Sequence, residues 1–210
     1  MAKKTRPTPP AKPPKNLLAD TFAFLEMLNG LRLIRRTVLC KDSDLEENDM
    51  EHSYQLAMLA WFLIDRAKLS LDTGRAIRYA LAHDVLEVYA GDTPVFNKNA
   101  RETKADRERR AIERLTKEWG TKFPDFIQAI KDYEARKDEE AIFVYALDKM
   151  IAPINIHLGG GRSWKEHKVT FDMMLVEKLP KLKDIPFAAG LFDEFVSVAG
   201  KSKHLFHGSQ

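Results

Sequence analysis

The sequence contains a single cysteine, Cys40, among its 210 residues. A lone cysteine excludes an internal disulfide and a zinc site built from cysteine pairs, and no N-terminal stretch has the layout of a secretory signal peptide. We therefore predict a cytoplasmic protein. Long hydrophobic runs are also absent, because charged residues interrupt the apolar stretches well before the roughly 18 residues that a membrane span needs.

Positive and negative side chains are nearly balanced over most of the chain. Lysine and arginine total 34 against 31 aspartates and glutamates, but five of the 34 lie in residues 1–16, which contain no acid. The remainder has 29 basic and 31 acidic residues, a net charge of −2, and lacks the basic excess typical of nucleic-acid-binding proteins. The first 16 residues also contain five prolines, which predicts a disordered tail, either a solubilising leader or a docking arm for an anionic partner.

From Leu17 onward, apolar residues recur at steps of three and four, the spacing of amphipathic helices. No pair of alternating β-branched segments joined by a hairpin turn is visible. The pattern predicts an all-α protein, one compact bundle of about seven or eight helices over residues 17–200 with a C-terminal tail at 201–210. The expected helices cover residues 17–36, 53–67, 73–90, 101–119, 124–135, 139–157, 166–178 and 187–199.

Four polar side chains stand where this helical pattern expects apolar residues: His52, the adjacent pair His83 and Asp84, and Asp148. Burying an imidazole or a carboxylate among apolar neighbours costs free energy unless the group is paired or bound to a metal. Two imidazoles and two carboxylates form a nitrogen and oxygen donor set that suits a divalent ion such as Mn, Co, Zn or Fe. Taken alone, His52 could simply begin a helix, and Asp148 could simply pair with a nearby cation.

Two further carboxylates follow the His83 and Asp84 pair along the chain. Glu87 falls one helical turn after His83, and Asp92 lies in the turn that ends the same predicted helix. Two carboxylates beside a metal suit hydrolysis, since one can act on the attacking water and the other on the leaving group. A phosphoester is the natural substrate class for such a centre.

Several cations could neutralise the oxygens of a phosphate group. Arg35 and Arg36 close the first predicted helix, and Lys98 and Arg101 follow the turn after Asp92. The planar guanidinium group of arginine matches the geometry of phosphate oxygens well. Arginines at a helix end also have a purely structural interpretation, because a positive charge there interacts favourably with the helix dipole.

Three of these motifs resemble the HD-domain metal-dependent phosphohydrolase superfamily, and most closely its 5'-deoxynucleotidase branch. The matching segments are Glu51–Ser53, His83–Pro94 and Asp148–Lys149, and the likeness extends over about residues 20–180. The resemblance implies that the metal ligands of one divalent ion (Co, Mn, Zn, Fe or Mg) are His52, His83, Asp84 and Asp148.

The same resemblance implies roles for the residues that meet the substrate. Glu87 would act on the catalytic water, while Asp92 and Thr93 would lie at the phosphate and the sugar. Arg36 falls where the nucleotidases place a phosphate-contacting arginine. Thr37 replaces a tryptophan that helps those enzymes to select deoxyribose, so the sugar preference stays open. Members of the branch are commonly dimers, which implies a homodimer here.

The leading hypothesis is hydrolysis of a (deoxy)nucleoside 5'-monophosphate to a nucleoside and inorganic phosphate, with Asp92 as the acid for the leaving 5'-oxygen. The expected partner is therefore a nucleotide, and neither a nucleic acid polymer nor a membrane. Two alternatives use the same centre: hydrolysis of a nucleoside triphosphate or another phosphoester, and a noncatalytic module that binds a nucleotide or a metal. A third alternative is a helical scaffold whose basic tail binds RNA or a membrane.

Overall fold

Helices form most of the fold, as expected for an all-α protein. The structure, a computed structural model, describes residues 12–91 and 104–208. The helices in these ranges confirm the predicted fold class, and in chain order they are α1 (Leu17–Leu31), α2 (Asp49–Ala67), α3 (Thr73–Ala82), α4 (Glu87–Ala90), α5 (Lys104–Trp119), α6 (Pro124–Glu134), α7 (Glu139–Leu158), α8 (Arg162–Glu166), α9 (Phe171–Leu182) and α10 (Pro186–Lys201).

A short antiparallel hairpin connects α1 to α2. Its strands are β1 (Arg35–Leu39) and β2 (Glu46–Asn48), so the prediction that the chain contains no hairpin was wrong. The first helix ends at Leu31, and Arg35 and Arg36 therefore lie in a strand instead of closing a helix.

The alternation of β1 explains why helical spacing gave the wrong boundary. Arg36 and Val38 are turned toward the protein, whereas Arg35 and Thr37 are exposed. Only two side chains of the strand need to pack inward, which is too few to form a clear period-two signal in the sequence. The consequence for function is that the two adjacent arginines point in opposite directions.

The predicted third helix is interrupted where His83 and Asp84 occur. α3 ends at Ala82, and a tight turn follows in which the Glu87 amide donates to the Asp84 carbonyl at 2.9 Å. α4 then begins at Glu87, so the expected continuous helix over 73–90 was wrong. The apolar spacing continues through Val85, which packs in the core, so the spacing alone does not indicate that the helix is interrupted.

The helix predicted at 166–178 is also divided and shifted. α8 ends at Glu166, and α9 begins after Thr170, whose side chain accepts a hydrogen bond from the Met173 amide at 3.2 Å. Between them Lys168 adopts a left-handed conformation with φ 55°. α9 includes Pro180, which the sequence interpretation had assigned to a loop.

Three apolar clusters hold the helices together, and α7 contributes to two of them. One cluster lies between α2, α3 and α7, a second joins α1 and α3 to α5 and α6, and a third joins α7 to α9 and α10. By length and composition alone α7 could cross a membrane, but half of its apolar stretch is buried inside the protein. Its position between two clusters accounts for that apolar composition.

The segment after α10 packs against the rest of the protein. Phe206 is buried and stacks on Trp164 of α8, with 3.9 Å between the ring centroids. Within the segment predicted as a C-terminal tail, 201–210, Phe206 therefore packs against the rest of the protein. This contact also fixes α8 beside α9, where it forms one wall of a cavity considered below.

Candidate functional site

The first turn of α2 presents His52 and Asp49 to the interior. Asn48 caps this helix by accepting hydrogen bonds from the Met50 and Glu51 amides at 3.0 and 3.1 Å, and the Glu51 side chain in turn accepts from the Asn48 amide. This capping box fixes where α2 begins. His52 and Asp49 are both fully buried as a result.

The turn between α3 and α4 brings in His83 and Asp84. The Nδ1 atom of His83 donates to the Ala80 carbonyl at 2.8 Å, which requires the proton to be on Nδ1 and leaves a lone pair on Nε2. Nε2 is buried, makes no hydrogen bond within the described ranges, and lies 2.9 Å from Oδ2 of Asp84. A histidine whose first nitrogen is held by a backbone carbonyl is arranged to bind a metal through the second.

Asp148 completes the group from the middle of α7. Its Oδ1 atom lies 3.0 Å from Nε2 of His52 and 3.9 Å from Nε2 of His83. Its Oδ2 atom is 2.5 Å from Nζ of Lys149, so the lysine contact that the sequence allowed is present as well. The four polar residues, distant in sequence, thus converge on one point.

These residues form a donor set that could hold a metal ion. His52, His83 and Asp84 each offer one ligand atom, and the three atoms lie within 4.8 Å of one another. Asp148 adds a further carboxylate oxygen through the contacts given above. The lone pair on the buried Nε2 of His83 fits a cation and would otherwise be a desolvated acceptor without compensation.

Arg36 reaches this group from β1. Its Nη1 atom lies 2.7 Å from Asp84 Oδ2 and 3.2 Å from Asp49 Oδ1, and its Nη2 atom is 4.0 Å from Asp148 Oδ1. Arg35 takes the opposite direction, because its Nη1 donates to the Glu46 carbonyl at 3.0 Å and its side chain is exposed. The structure therefore brings only the second arginine of the pair to the site.

The charges of the group are mutually stabilising. Burial raises the pKa of Asp84 and Asp148, but neighbouring groups, His83 and Arg36 for the former and Lys149 for the latter, hold both pKa values well below the usual range. Burial opposes protonation of His52, but its contacts with Asp148 and Glu47 raise its pKa to about 9. Both carboxylates are therefore ionised at neutral pH, as metal ligation requires, and His52 must release its proton when a metal binds.

A polar cavity of about 230 Å³ opens beside these residues. His83, Asp84 and Asp148 form one wall, and Glu87, buried at the start of α4, also lines it. We call it the polar cavity; its remaining side chains are Leu86, Lys104, Glu108, Tyr133, Glu134, Arg136, Tyr145 and Lys149. Asp92, Thr93, Lys98 and Arg101 lie outside the described residues.

Two features of this site are apparent only in the structure. Lys149 and Arg136 place cations in the polar cavity, and Asp49 adds a fully buried carboxylate behind Arg36. In the sequence Asp49 has the ordinary appearance of an acid in the first turn of a helix, where it favours the dipole. Its only distinguishing signal is its position three residues before His52.

Comparison with known proteins agrees with this geometry. The HD domain family matches residues 28–186 of the chain, a segment that contains the histidines, aspartates and Arg36 described above. The 5'-deoxynucleotidase HDDC2 of Xenopus laevis is 32% identical over 132 residues, which are 60% of this chain and 62% of that protein. The protein of the same name from Homo sapiens is 27% identical over 128 residues, 60% of this chain and 61% of its own length. The chain thus spans about three fifths of the length of the curated relatives it matches.

Two solved structures resemble the whole chain more fully. A predicted metal-dependent phosphohydrolase from Magnetospirillum magnetotacticum MS-1 superposes with a TM-score of 0.75 at 29% identity, covering 90% of this chain and 95% of its own. A conserved hypothetical protein from Pyrococcus furiosus covers 80% of this chain and 98% of its own with a TM-score of 0.53, and at 19% identity it shows the shared fold alone. The family match covers most of the chain and includes every element that carries the site. This protein is therefore a member of the HD domain family.

Proposed function

We propose that this protein is a metal-dependent phosphohydrolase that converts (deoxy)nucleoside 5'-monophosphates to nucleosides and inorganic phosphate. The observation that carries the proposal is the buried Nε2 of His83, which faces two ionised carboxylates at the wall of a cavity that also contains cations. The name 5'-deoxynucleotidase of the curated relatives and the phosphohydrolase title of the Magnetospirillum structure support the same chemistry.

The proposed metal ligands are His52, His83, Asp84 and Asp148, which would hold one divalent ion. The donor set of two imidazoles and two carboxylates suits Mn, Co, Zn or Fe better than Mg, which prefers oxygen ligands. When bound, such an ion supplies Lewis-acid activation of water and offsets negative charge on the phosphate.

The remaining steps belong to side chains in and around the polar cavity. We assign Glu87 to orient the attacking water and accept its proton, because its carboxylate is buried on the same wall as the ligands. Arg36 and Lys149 would offset the charge of the phosphate oxygens. As water attacks phosphorus, the bond from phosphorus to the 5'-oxygen breaks, and the leaving oxygen takes a proton, for which Asp92 is our candidate. Thr93 would lie beside it at the phosphate and the sugar.

The first experiment measures phosphate release after metal removal and replacement. Protein treated with a chelator should be inactive, and Mn, Co, Zn or Fe should restore phosphate release from nucleoside 5'-monophosphates. A comparison of ribonucleotides with deoxyribonucleotides then shows whether Thr37 affects the sugar preference. His83→Ala should abolish metal binding, whereas His157→Ala, a half-buried histidine at the far end of α7, should retain it. Release from triphosphates but not from monophosphates would favour the alternative phosphohydrolase, and tight metal binding without any release would favour a binding module.

We also propose that the protein is a cytoplasmic homodimer whose functional unit is residues 17–200. An apolar groove of about 430 Å³ lies between α1, α2, α3 and α6. Beside it the large apolar side chains of Tyr54, Met58 and Trp61 are 64%, 46% and 53% exposed along one stripe of α2. An exposed apolar stripe of this kind is typical of a protein interface, and a second copy of the chain would cover it.

A further inference from the structure

A second cavity lies near the candidate metal ligands, and none of the four ligands lines it. Its volume is about 210 Å³, and it is enclosed by β1, α7, α8 and α9. Most of its wall is apolar, with side chains that include Val38, Ile156, Trp164, Val169 and Met174. The polar groups at its edge are Thr37, Ser163, His167, Glu177 and Lys178.

This cavity adjoins the site through two elements. Thr37 directly follows Arg36, which contacts Asp84. On α7, Ala152 and Pro153 of the cavity wall lie one helical turn after Asp148 and Lys149. The polar cavity and the second cavity therefore lie along the same face of α7. Asp148 and Lys149 line the polar cavity, and Ala152 and Pro153, one turn later, line the second cavity.

Lys178 is an unusual group for a wall of this composition. Burial and the nearby charge of Lys149 lower its pKa to about 8, so both disfavour the ammonium form. No hydrogen bond or ion pair joins Lys178 to another residue in the described ranges. An amine has only donors to offer, and a ligand that brings an acceptor into this cavity would satisfy it.

The sizes of the two cavities suggest how a substrate would be divided between them. Small-molecule sites have volumes of about 300–1,000 Å³, which neither cavity reaches alone and both reach together. The cavity beside His83 and Asp84 is rich in charge, as a phosphate requires. The second cavity is apolar with a few polar groups, which matches a planar nucleobase with apolar faces and a polar edge.

We propose that the second cavity, here named the base pocket, binds the nucleobase of the substrate and that Lys178 donates a hydrogen bond to an acceptor on the edge of the base. The proposal rests on the proposed function, since it assumes that the phosphate occupies the polar cavity. Lys178 and Ile156 are then specificity-determining residues, and neither takes part in bond breaking.

The test separates base binding from phosphate chemistry. Ile156→Phe adds volume inside the base pocket, and Val176→Phe, at a position on α9 that is 75% exposed, is its matched control. We expect Ile156→Phe to weaken the binding of deoxyguanosine to the metal-loaded protein, measured by calorimetry, by about tenfold or more. It should raise the KM for deoxyguanosine 5'-monophosphate similarly, while hydrolysis of deoxyribose 5-phosphate, which has no base, stays within about twofold. The control should resemble the wild type in every assay.

Lys178→Met provides a second test that does not depend on adding volume to a packed wall. Methionine keeps the apolar stem and removes the donor, so deoxyguanosine should bind about tenfold more weakly, with inorganic phosphate binding unchanged. Lys117→Met on the exposed surface of α5 is the control. Equal losses for the nucleotide and for deoxyribose 5-phosphate, or weaker phosphate binding by Lys178→Met, would assign Lys178 to the phosphate and overturn the proposal.

The base pocket and the proposed function can fail separately. Unchanged deoxyguanosine binding by a folded Ile156→Phe or Lys178→Met variant with its full metal content overturns the base pocket alone. A wild-type protein that binds deoxyguanosine through the pocket but releases no phosphate from any nucleotide overturns the hydrolase assignment and leaves the base pocket in place.

Discussion

At the scale of single residues, Arg36 is the structural partner of the acidic site. It contacts both Asp84 and the fully buried Asp49. Without the guanidinium group these carboxylates would lose their nearest positive charge, and an uncompensated buried charge is far more costly than an exposed one. Arg36 therefore contributes to stability in addition to its proposed role at the phosphate.

Arg36→Met should destabilise the metal-free protein by about 3 kcal/mol, because it removes the guanidinium group that contacts the buried carboxylate of Asp49 and that of Asp84. Urea unfolding in the presence of a chelator measures the effect. The neighbouring Arg35→Met is a close control, since the exposed side chain of Arg35 donates to a backbone carbonyl of the hairpin. It should change stability by less than about 0.5 kcal/mol. Equal losses for the two variants would contradict a special role for Arg36.

Glu87→Gln should separate catalysis from metal binding. The amide keeps the size of the buried side chain but cannot accept a proton from water, so kcat should fall by about 10²–10⁴-fold. Metal content, measured by atomic emission, should match the wild type because Glu87 is not among the proposed ligands. Glu113→Gln, on a side chain of α5 that is 65% exposed, should retain full activity. A fully active Glu87→Gln protein would show that another group acts on the water.

The candidate ligands were the part of the site most open to prediction from sequence. His52, His83, Asp84 and Asp148 interrupt apolar patterns, and the free-energy cost of burying such groups makes the interruption informative. The different directions of Arg35 and Arg36 could not be predicted in the same way. Their orientation depends on the alternation of a short strand that exists only because it pairs with β2.

At the scale of the element, the position of α7 decides whether Asp148 reaches the site. The helix begins after Asp138, whose side chain accepts a hydrogen bond from the Ala141 amide at 2.9 Å. The same carboxylate accepts from the Tyr79 hydroxyl at 2.8 Å, which ties the start of α7 to α3. The side chain that caps α7, the helix that carries Asp148, thus also joins it to α3, the helix that directly precedes His83.

Asp138→Ala should lower the free energy of unfolding by about 1–2 kcal/mol at pH 7, the usual cost of losing an N-cap. Burial opposes the ionised form of Asp138, but bonds from Ala141 and Tyr79 and the ion pair with Arg75 outweigh it and lower its pKa. Because this pKa is lower in the folded than in the unfolded chain, the stabilisation is present above the ordinary aspartate pKa and disappears as the pH falls through the folded value.

Urea unfolding at a series of pH values tests this sign. The difference between wild type and Asp138→Ala should shrink as the pH falls below about 3.9. Asp172→Ala, which removes an exposed aspartate from the first turn of α9, should cost less than about 0.5 kcal/mol at neutral pH. A cost for Asp138→Ala that stays constant down to the lowest pH would mean that packing, and not the carboxylate charge, is responsible.

The presence of the helices was predicted from the sequence more accurately than the residues at which they begin and end. The helix predicted over 139–157 agrees closely with α7, and Asp138 directly before it caps the helix through a local hydrogen bond. The break before Glu87 had no such signal, since Val85 and Leu86, which lie within it, continue the apolar spacing and are buried. Tertiary contacts set that turn, and single-sequence periodicity does not contain them.

At the scale of the whole molecule, α1 and α2 leave a large apolar surface uncovered. Leu18 and Phe22 of α1 are 66% and 65% exposed, and Tyr54 and Trp61 of α2 are 64% and 53% exposed. Burying this surface would remove apolar area from water at a gain of about 25 cal/mol per Å². The apolar groove beside this surface and the polar cavity share no lining residue, so association would not need to cover the polar cavity.

The homodimer proposal predicts that charges in this surface prevent association. In size-exclusion chromatography with light scattering, the wild type should have twice the mass of one chain. The double variant Tyr54→Glu and Trp61→Glu should elute as a monomer, because the introduced charges would face the same charges of the second copy across a symmetric interface. Val198→Glu places the same charge on an apolar side chain of α10 that is 51% exposed, and it should leave the dimer intact. A monomeric wild type at micromolar concentration, or a double variant that remains dimeric, would contradict this interface. If the double variant is monomeric yet keeps its metal content and its phosphate release, each subunit contains a complete site.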